Sequence, residues 1–473
     1  MRNVRRVEQL PAAKEALRRL LGARCSDTES VREHHSHGES YHPPAPPDVV
    51  CFPANTAEVV AIVGVSRQFA LPIVPFGAGT SLEGHVHALE GGITIDLREM
   101  NRVVRIGAAD LDVTVEAGVT RLQLARALEN TGLMFPVDPG ANATIGGMAA
   151  TRASGTTAVR YGTMRENVLG LEVVLADGRV VKTGTRARKS AAGYDLTRLF
   201  VGSEGTLGVI TQVTLRLHPL PEAVSAAVCS FGTLRGAVDA VMATIQLGVP
   251  VARIELLDEL HMDAINRYSH TAYPVAPTLL FEFHGDGAGH LAAQAETVQA
   301  IAAEHGGRGF EWATRLEDRE RLWQARHNAH FAALALRPGC RSWAGDVCVP
   351  ISRLADCIIE TKRDHEGAPF PVCLVGHAGD GNFHLVYLLD PASASELAEA
   401  RRLNTRMVER ALAMGGTCTG EHGVGYGKMH SLAAEHGEGI GVMRDIKQAL
   451  DPDNRMNPGK VVAFHDSGAT PHP

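Results

Sequence analysis

The stretch IVPFGAGTSLEGH, residues 73–85, decides the fold. A short apolar run that reads as a strand enters a turn built from Gly77, Gly79 and Gly84, with Thr80 and Ser81 between them. The spacing G-x-G-x-x-x-x-G departs from the G-x-G-x-x-G of a Rossmann loop, and no helical pattern begins at the turn to aim a helix N-terminus at a pyrophosphate. A nicotinamide-binding Rossmann domain is therefore disfavoured. What the loop offers is a run of backbone N–H groups and two hydroxyls, a nest able to cradle phosphate oxygens. Taken alone, a tight structural turn is the competing reading.

Outward from this loop the chain alternates helix and strand signals. Residues 56–72, TAEVVAIVGVSRQFALP, read as a helix with Thr56 as a cap-like residue and Glu58 in its first turn. The proline-rich PPAPPD at 43–48 cannot be helix interior and ends an N-terminal arm. Residues 91–119 alternate apolar and polar positions as β-hairpins do, and RLQLARALENTGL follows as an amphipathic helix. LGLEVVLADGRVVKTG carries an Ala-Asp-Gly turn that suggests another hairpin, and GVITQVTLRLHPLP is strand-like up to a boundary at Pro219 and Pro221. Beyond it, VSAAVCSF, ARIELLD and TLLFEFHG read as strands and TLRGAVDAVMATIQLG and HLAAQAETVQAIAAEHGG as helices, the makings of a second α+β domain. The tail HDSGATPHP, 465–473, reads as frayed.

Length and charge set outer bounds. A chain of 473 residues suffices for more than one buried core, and a net charge of −7 provides no positive field to hold nucleic acid. No apolar run approaches the ~18 residues of a membrane helix, so any membrane contact would be peripheral. The eight cysteines are scattered without a C-x-x-C, which suits neither a disulfide framework nor an iron–sulfur or zinc-ribbon site and points to reduced thiols in a cytoplasm-like compartment. The Arg-rich N-terminus lacks the apolar core of a secretory signal. Leu10, Ala13, Leu17 and Leu20 recur there at helical spacing, as in an amphipathic surface helix, with a mitochondrial transit peptide as the other reading.

The 49 glycines are clustered. Two further stretches, 138–164 and 200–211, are too poor in bulk to be ordinary core. Backbone lying flat against a large planar cofactor would explain them, as would close helix-to-strand packing. In the second half, VGHAGDGNFH at 375–384 holds His377 and His384 across a glycine turn, and CTGEHGVGYGK at 418–428 holds Glu421 and His422. Two imidazoles and a carboxylate from loops suit a borderline divalent cation that keeps positions open for substrate or water. The GVGYGKM run is no Walker A, so ATP is not implied.

Taken in order, PFGAGTSLEGH, DPGANATIGGMAATRASG, GSEGTLGVIT, DVCVPIS, VGHAGDGNFH, GTCTGEHGVG and DPDNRMNPGKV make the chain resemble, over 31–462, the FAD-linked 2-hydroxy-acid dehydrogenases of the vanillyl-alcohol-oxidase type, most nearly the cytochrome-linked members that act on D-lactate. The resemblance implies an α+β fold. A helical arm (1–44) would precede a two-subdomain FAD-binding domain (45–221), a substrate or cap domain with a metal site (222–435), and a C-terminal segment (436–473) returning to the FAD domain.

By the same resemblance Pro75, Gly77, Ala78, Gly79, Thr80, Ser81 and Leu82 would hold the FAD pyrophosphate. Asp138, Pro139, Thr144, Gly146, Gly147, Ser154, Gly155, Tyr161, Gly202, Glu204, Gly205 and Ile210 would line the rest, with Asn457 near the flavin ring. His377, His384 and Glu421 look like ligands of a divalent metal, zinc or manganese, His422 like the general base, and Arg326 in LWQARHN like the carboxylate-binding arginine.

The chemistry is consistent with those roles. A 2-hydroxy acid must lose a hydroxyl proton and a Cα hydride, so its site needs a base, an anion clamp and a means of orienting the alcohol. In relatives acting on 2-hydroxyglutarate a lysine stands two residues before the DVCVP-like segment to meet the second carboxylate. Ala344 stands there in this chain, which favours a monocarboxylate such as D-lactate, oxidised to pyruvate with electrons passed to a cytochrome or quinone. The expected setting is cytoplasmic, peripheral to the inner membrane or mitochondrial in a eukaryote, with a homodimer as a further expectation. A 2-hydroxyglutarate dehydrogenase, a glycolate oxidase FAD subunit, a metallohydrolase using the same histidines and a non-catalytic flavin-binding protein are the alternatives.

Overall fold

The structure, a computed structural model, describes residues 4–464. The 465–473 tail lies outside them. The chain separates into two compact units, one made of the chain up to Ser154, Gly162–Leu220 and the chain from Glu421 onward, the other of Gly155–Tyr161 and Pro221–Gly420. The return to the first unit thus begins at Glu421 rather than at 436, and a short insert from the glycine-rich stretch belongs to the second unit.

Among the described residues the first unit contains two larger sheets and a two-stranded pair, Leu133–Met134 with His218–Pro219. One runs Cys25–Ser26, Val49–Cys51, Ile93–Asp96, Ile73–Phe76, antiparallel at its first pair and parallel thereafter. The other is antiparallel, in the order Val103–Gly107, Asp112–Glu116, Val209–Arg216, Val168–Val174, Val180–Lys182. The expected hairpins of 91–119 are therefore split. Ile93–Asp96 pairs in parallel with the strand ahead of the glycine loop, and only Val103–Gly107 and Asp112–Glu116 form a hairpin. A strand flanked on both sides by parallel neighbours reads locally like any other apolar strand.

The helix after the proline-rich segment spans Thr56–Phe69, and its cap is Asn55, not Thr56: the Asn55 side chain accepts from the Glu58 backbone N–H at 3.0 Å. Thr56 instead donates its hydroxyl to Glu172 at 2.8 Å. The first helix, Val4–Leu21, is no detached arm. Ala13 and Leu17 are fully buried, packing with Val59, Ile62 and Val63 of helix Thr56–Phe69, and Leu21 joins them. Leu20 is exposed, so the buried stripe drifts one residue from the spacing read in the sequence.

The second unit is built on one antiparallel sheet of seven strands in the order Gly307–Ala313, Ala223–Phe231, Thr278–Gly285, Val251–Leu257, Val372–His377, Asn382–Leu389, Arg341–Cys348. Helices Leu234–Gln246 and Ala288–Glu304 bury their apolar sides through Val238, Val241, Leu291 and Val298, so sheet and helices segregate as the α+β reading expected.

Candidate active site

In the first unit, strand Ile73–Phe76 delivers the glycine loop to a cleft enclosing about 1220 Å³, its open mouth included. Pro75, Gly77, Ala78, Gly79, Thr80, Ser81 and Leu82 all line it. Gly79 has φ +73, a left-handed conformation that favours glycine, and a Cβ on Gly77 would stand 2.2 Å from Thr144 Oγ1. Here the two readings of the small residues meet. Gly77 is small because the 144–147 segment crosses it closely, and its backbone still faces open space.

The opposite wall comes from Pro139, Thr144, Gly146, Gly147 and Ser154, and a third side from Glu204, Gly205 and Ile210. The chain returns to this cleft at its end. Asn457 donates its backbone N–H to Ile73 O at 2.7 Å and its side-chain amide to His85 O at 3.0 Å and Glu204 O at 2.7 Å. The Glu204 carboxylate accepts from the N–H groups of Val424 at 2.7 Å and Gly425 at 2.8 Å and lies 3.2 Å from His85 Nε2. Burial would raise this carboxyl, but His85 and the two N–H groups outweigh it and hold Glu204 below the ordinary value. Glu421 and His422 also line the cleft, beside these segments.

Four sequence-predicted residues stand elsewhere. Asp138 lies 3.3 Å from Arg121 Nε, in an ion pair away from the cleft lining. Gly202, at φ +87, packs against the Arg152 side chain. Gly155 and Tyr161 belong to the second unit, where the Tyr161 hydroxyl is 2.7 Å from His284 Nδ1. The glycine-rich stretch holding them was one segment in sequence and is divided in space.

The second unit carries a row of acids and histidines on one face of its sheet. Glu255 is the direct partner of His377, and His384 is the direct partner of both Val375 and Asp346. Partners across a ladder share a face, and Val375 and His377, two residues apart, share it too. Glu255, His377, His384 and Asp346 therefore line up across four adjacent strands. The two imidazoles meet edge to face with centroids 5.3 Å apart.

Each imidazole Nδ1 faces a fully buried carboxylate. His377 Nδ1 lies 2.7 Å from Glu255 Oε1, and His384 Nδ1 lies 3.4 Å from Asp346 Oδ1. Asp346 also accepts from Asn382 Nδ2 at 2.8 Å and from the Thr419 hydroxyl at 2.7 Å. Arg326, on helix Leu316–His327, donates its Nε to Glu255 Oε2 at 2.7 Å. Burial by itself would push the Glu255 carboxyl up; its contacts with His377 and Arg326 outweigh that and hold the carboxyl below its ordinary value. Sequence reading missed Glu255 and Asp346. Their signal was an acid placed inside an apolar strand, in ARIELLD and in SWAGDVCVP.

Residues 47–184 match the family profile described as FAD binding domain, and residues 220–461 match the one described as FAD linked oxidases, C-terminal domain. The chain belongs to the FAD-linked oxidase family. This FAD-linked oxidase is 53% identical over 437 residues to the probable mitochondrial D-lactate dehydrogenase of Danio rerio, covering 92% of this chain and 88% of the relative. It is 48% identical over 443 residues to the mitochondrial D-lactate dehydrogenase [cytochrome] of Arabidopsis thaliana, covering 93% and 78%. Its fold is that of p-cresol methylhydroxylase in a substrate-bound crystal structure, with a TM-score of 0.81 at 20% identity over 97% of this chain and 98% of that one. The fold is thus the two-subdomain FAD-binding architecture of the vanillyl-alcohol-oxidase type with an α+β second domain.

The cleft suits this oxidase's cofactor. The Ser81 hydroxyl is buried in the loop with no hydrogen-bond partner among the described residues, a cost that a phosphate acceptor would remove. The donor set of the second unit suits a divalent cation, since both histidines have their Nδ1 beside a carboxylate, the arrangement that orients Nε2 toward a metal. Among the described residues no helix is long and apolar enough to cross a membrane.

Proposed function

We propose that this FAD-linked oxidase oxidises a D-2-hydroxy monocarboxylate, D-lactate before others, to the 2-oxo acid. The observation that carries the reading is the Glu255–His377–His384–Asp346 row with Arg326 attached to it, a buried charged construction along one face of the sheet. The D-lactate activity named for the two relatives supports the substrate, and Ala344 supports a monocarboxylate over a dicarboxylate.

When bound, the flavin supplies the acceptor for the Cα hydride. A divalent cation, zinc or manganese, held by His377, His384 and Glu421 would supply Lewis acidity that lowers the alcohol pKa. The chain's own residues do the rest. Arg326 grips the substrate carboxylate with the guanidinium edge left after its Nε is committed to Glu255. His422 takes the hydroxyl proton, as a group whose ordinary pKa lies near neutrality can. The loop 75–82 and Asn457 hold the nucleotide and its ring, with Glu204 bracing Asn457 from behind. Electrons leave to a cytochrome or quinone supplied by another molecule, and the free thiols suit any reducing compartment, the mitochondrial matrix included.

The test is an anaerobic panel of D- and L-2-hydroxy acids on the purified yellow protein. D-lactate is expected to bleach the flavin and L-lactate to leave it oxidised. Bleaching by L-lactate alone, or by none of the panel, contradicts the reading.

A further inference from the structure

We propose that Glu255 is a positioning residue that couples the cation site to the carboxylate clamp, one oxygen fixing His377 and the other fixing Arg326. The inference rests on the cation reading above. Glu255 sits in the interior of strand Val251–Leu257 with no exposure, where a valine or leucine would be the cheaper occupant. An ionised carboxylate can only accept, so the hydrogen of His377 lies on Nδ1 and its ring lone pair on Nε2, the tautomer a metal ligand needs. The second oxygen accepts from Arg326 Nε at 2.7 Å, which fixes the rotation of the guanidinium plane and directs its Nη edge.

The pairing is built into the sheet. Glu255 and His377 are ladder partners, so the contact does not depend on a flexible side chain finding its mate. One rigid carboxylate therefore sets two angles at once: the direction of a ligand lone pair and the plane of an anion clamp. Asp346 stands beside His384 Nδ1 at a longer 3.4 Å and accepts from Asn382 and the Thr419 hydroxyl, whereas Glu255 is the carboxylate that holds Arg326.

The experiment strips the holoenzyme with a chelator and titrates it with Mn²⁺ and Zn²⁺, comparing wild type with Glu255→Gln. The amide keeps the shape but cannot accept from both partners. The variant is expected to keep its FAD content and melting temperature within those of a folded protein, to bind the cation roughly 10- to 100-fold more weakly, and to show a raised KM for D-lactate beyond any change in kcat. Unchanged cation affinity and unchanged KM would overturn the inference while leaving the cation reading intact. A wild-type protein that takes up no cation would overturn that reading, and this inference with it. Should Glu255→Gln fail to fold, Glu255→Asp, which withdraws the carboxylate by one methylene, must show a smaller loss in the same two quantities; wild-type values in that variant would equally overturn the proposal.

Discussion

Ala344 stands two residues before Asp346 on strand Arg341–Cys348 and so shares its face of the sheet, the face that carries His384. A side chain lengthened at Ala344 would reach out on the side where the acids and histidines lie. Ala344→Lys is expected to shift the ratio of kcat/KM for D-2-hydroxyglutarate over D-lactate upward by at least about tenfold, a cation meeting the second carboxylate being worth ~1.5–3 kcal/mol. Steady-state kinetics on both acids check it, and an unmoved ratio would take Ala344 out of the specificity account.

Arg326→Ala is expected to raise KM for D-lactate and to lower turnover, with kcat/KM falling by about 10²-fold or more as the bidentate clamp is lost. Arg326→Lys should recover only part, since a point charge cannot keep one bond to Glu255 and a fork to the substrate. Unchanged kcat/KM in Arg326→Ala would remove Arg326 from the site.

His422→Asn should retain the yellow colour and lose about 10²- to 10⁴-fold in the rate of flavin reduction by D-lactate, the usual worth of a positioned base. The measurement is anaerobic stopped-flow reduction. A rate within a few-fold of wild type would assign the proton transfer to another group.

The small residues around the cleft separate into two kinds that substitution distinguishes. A Cβ on Gly146 would stand 2.5 Å from the Ala117 Cβ and 2.9 Å from its carbonyl oxygen, so Gly146→Ala should cost about 1–3 kcal/mol of stability as overpacking. A Cβ on Gly147 meets only Thr144 Oγ1, at 3.0 Å, and this residue lines the cleft. Gly147→Leu should therefore unfold near the wild-type temperature without cofactor and fail to retain FAD, read from absorbance against protein content. Full FAD occupancy in Gly147→Leu would show that the cofactor does not lie along this wall.

The fully buried Lys460, whose Nζ donates to Asn457 Oδ1 at 2.6 Å and His87 O at 2.7 Å, gives a pH signature. Burial pushes its pKa from the ordinary 10.5 down to about 7. Between those values the unfolded chain binds a proton that the folded chain does not, so this group makes stability rise with pH across that window, by up to about 1.4 kcal/mol per pH unit, and adds no slope below it. The urea midpoint should rise less from pH 7 to 9 in Lys460→Met than in wild type. Equal rises would mean that Lys460 is charged when folded.

Much of this arrangement was legible in the chain. The loop after Ile73–Phe76 declared itself by a glycine spacing that fits no Rossmann turn, and the two histidines of VGHAGDGNFH by a glycine turn between apolar strands. What could not be read was register. Glu255 and His377 lie 122 residues apart, and nothing local to either says that their strands are neighbours. The same blindness merged Ile93–Asp96 with the hairpin that follows it, because sheet membership is a long-range property while alternation is a local one. At Asn55 and Thr56 two adjacent capping residues compete, and the cap went to Asn55, the stronger capping type, while Thr56 found a partner in Glu172.

The most direct measurement follows the flavin band of the purified protein when D-lactate is added without oxygen, before chelation, after chelation and after Mn²⁺ or Zn²⁺ is returned. The account predicts rapid bleaching, a large loss of rate on chelation with the colour retained, and recovery with the cation. A protein that stays colourless after incubation with FAD, or a yellow one that D-lactate bleaches equally fast with and without the chelator, would contradict it.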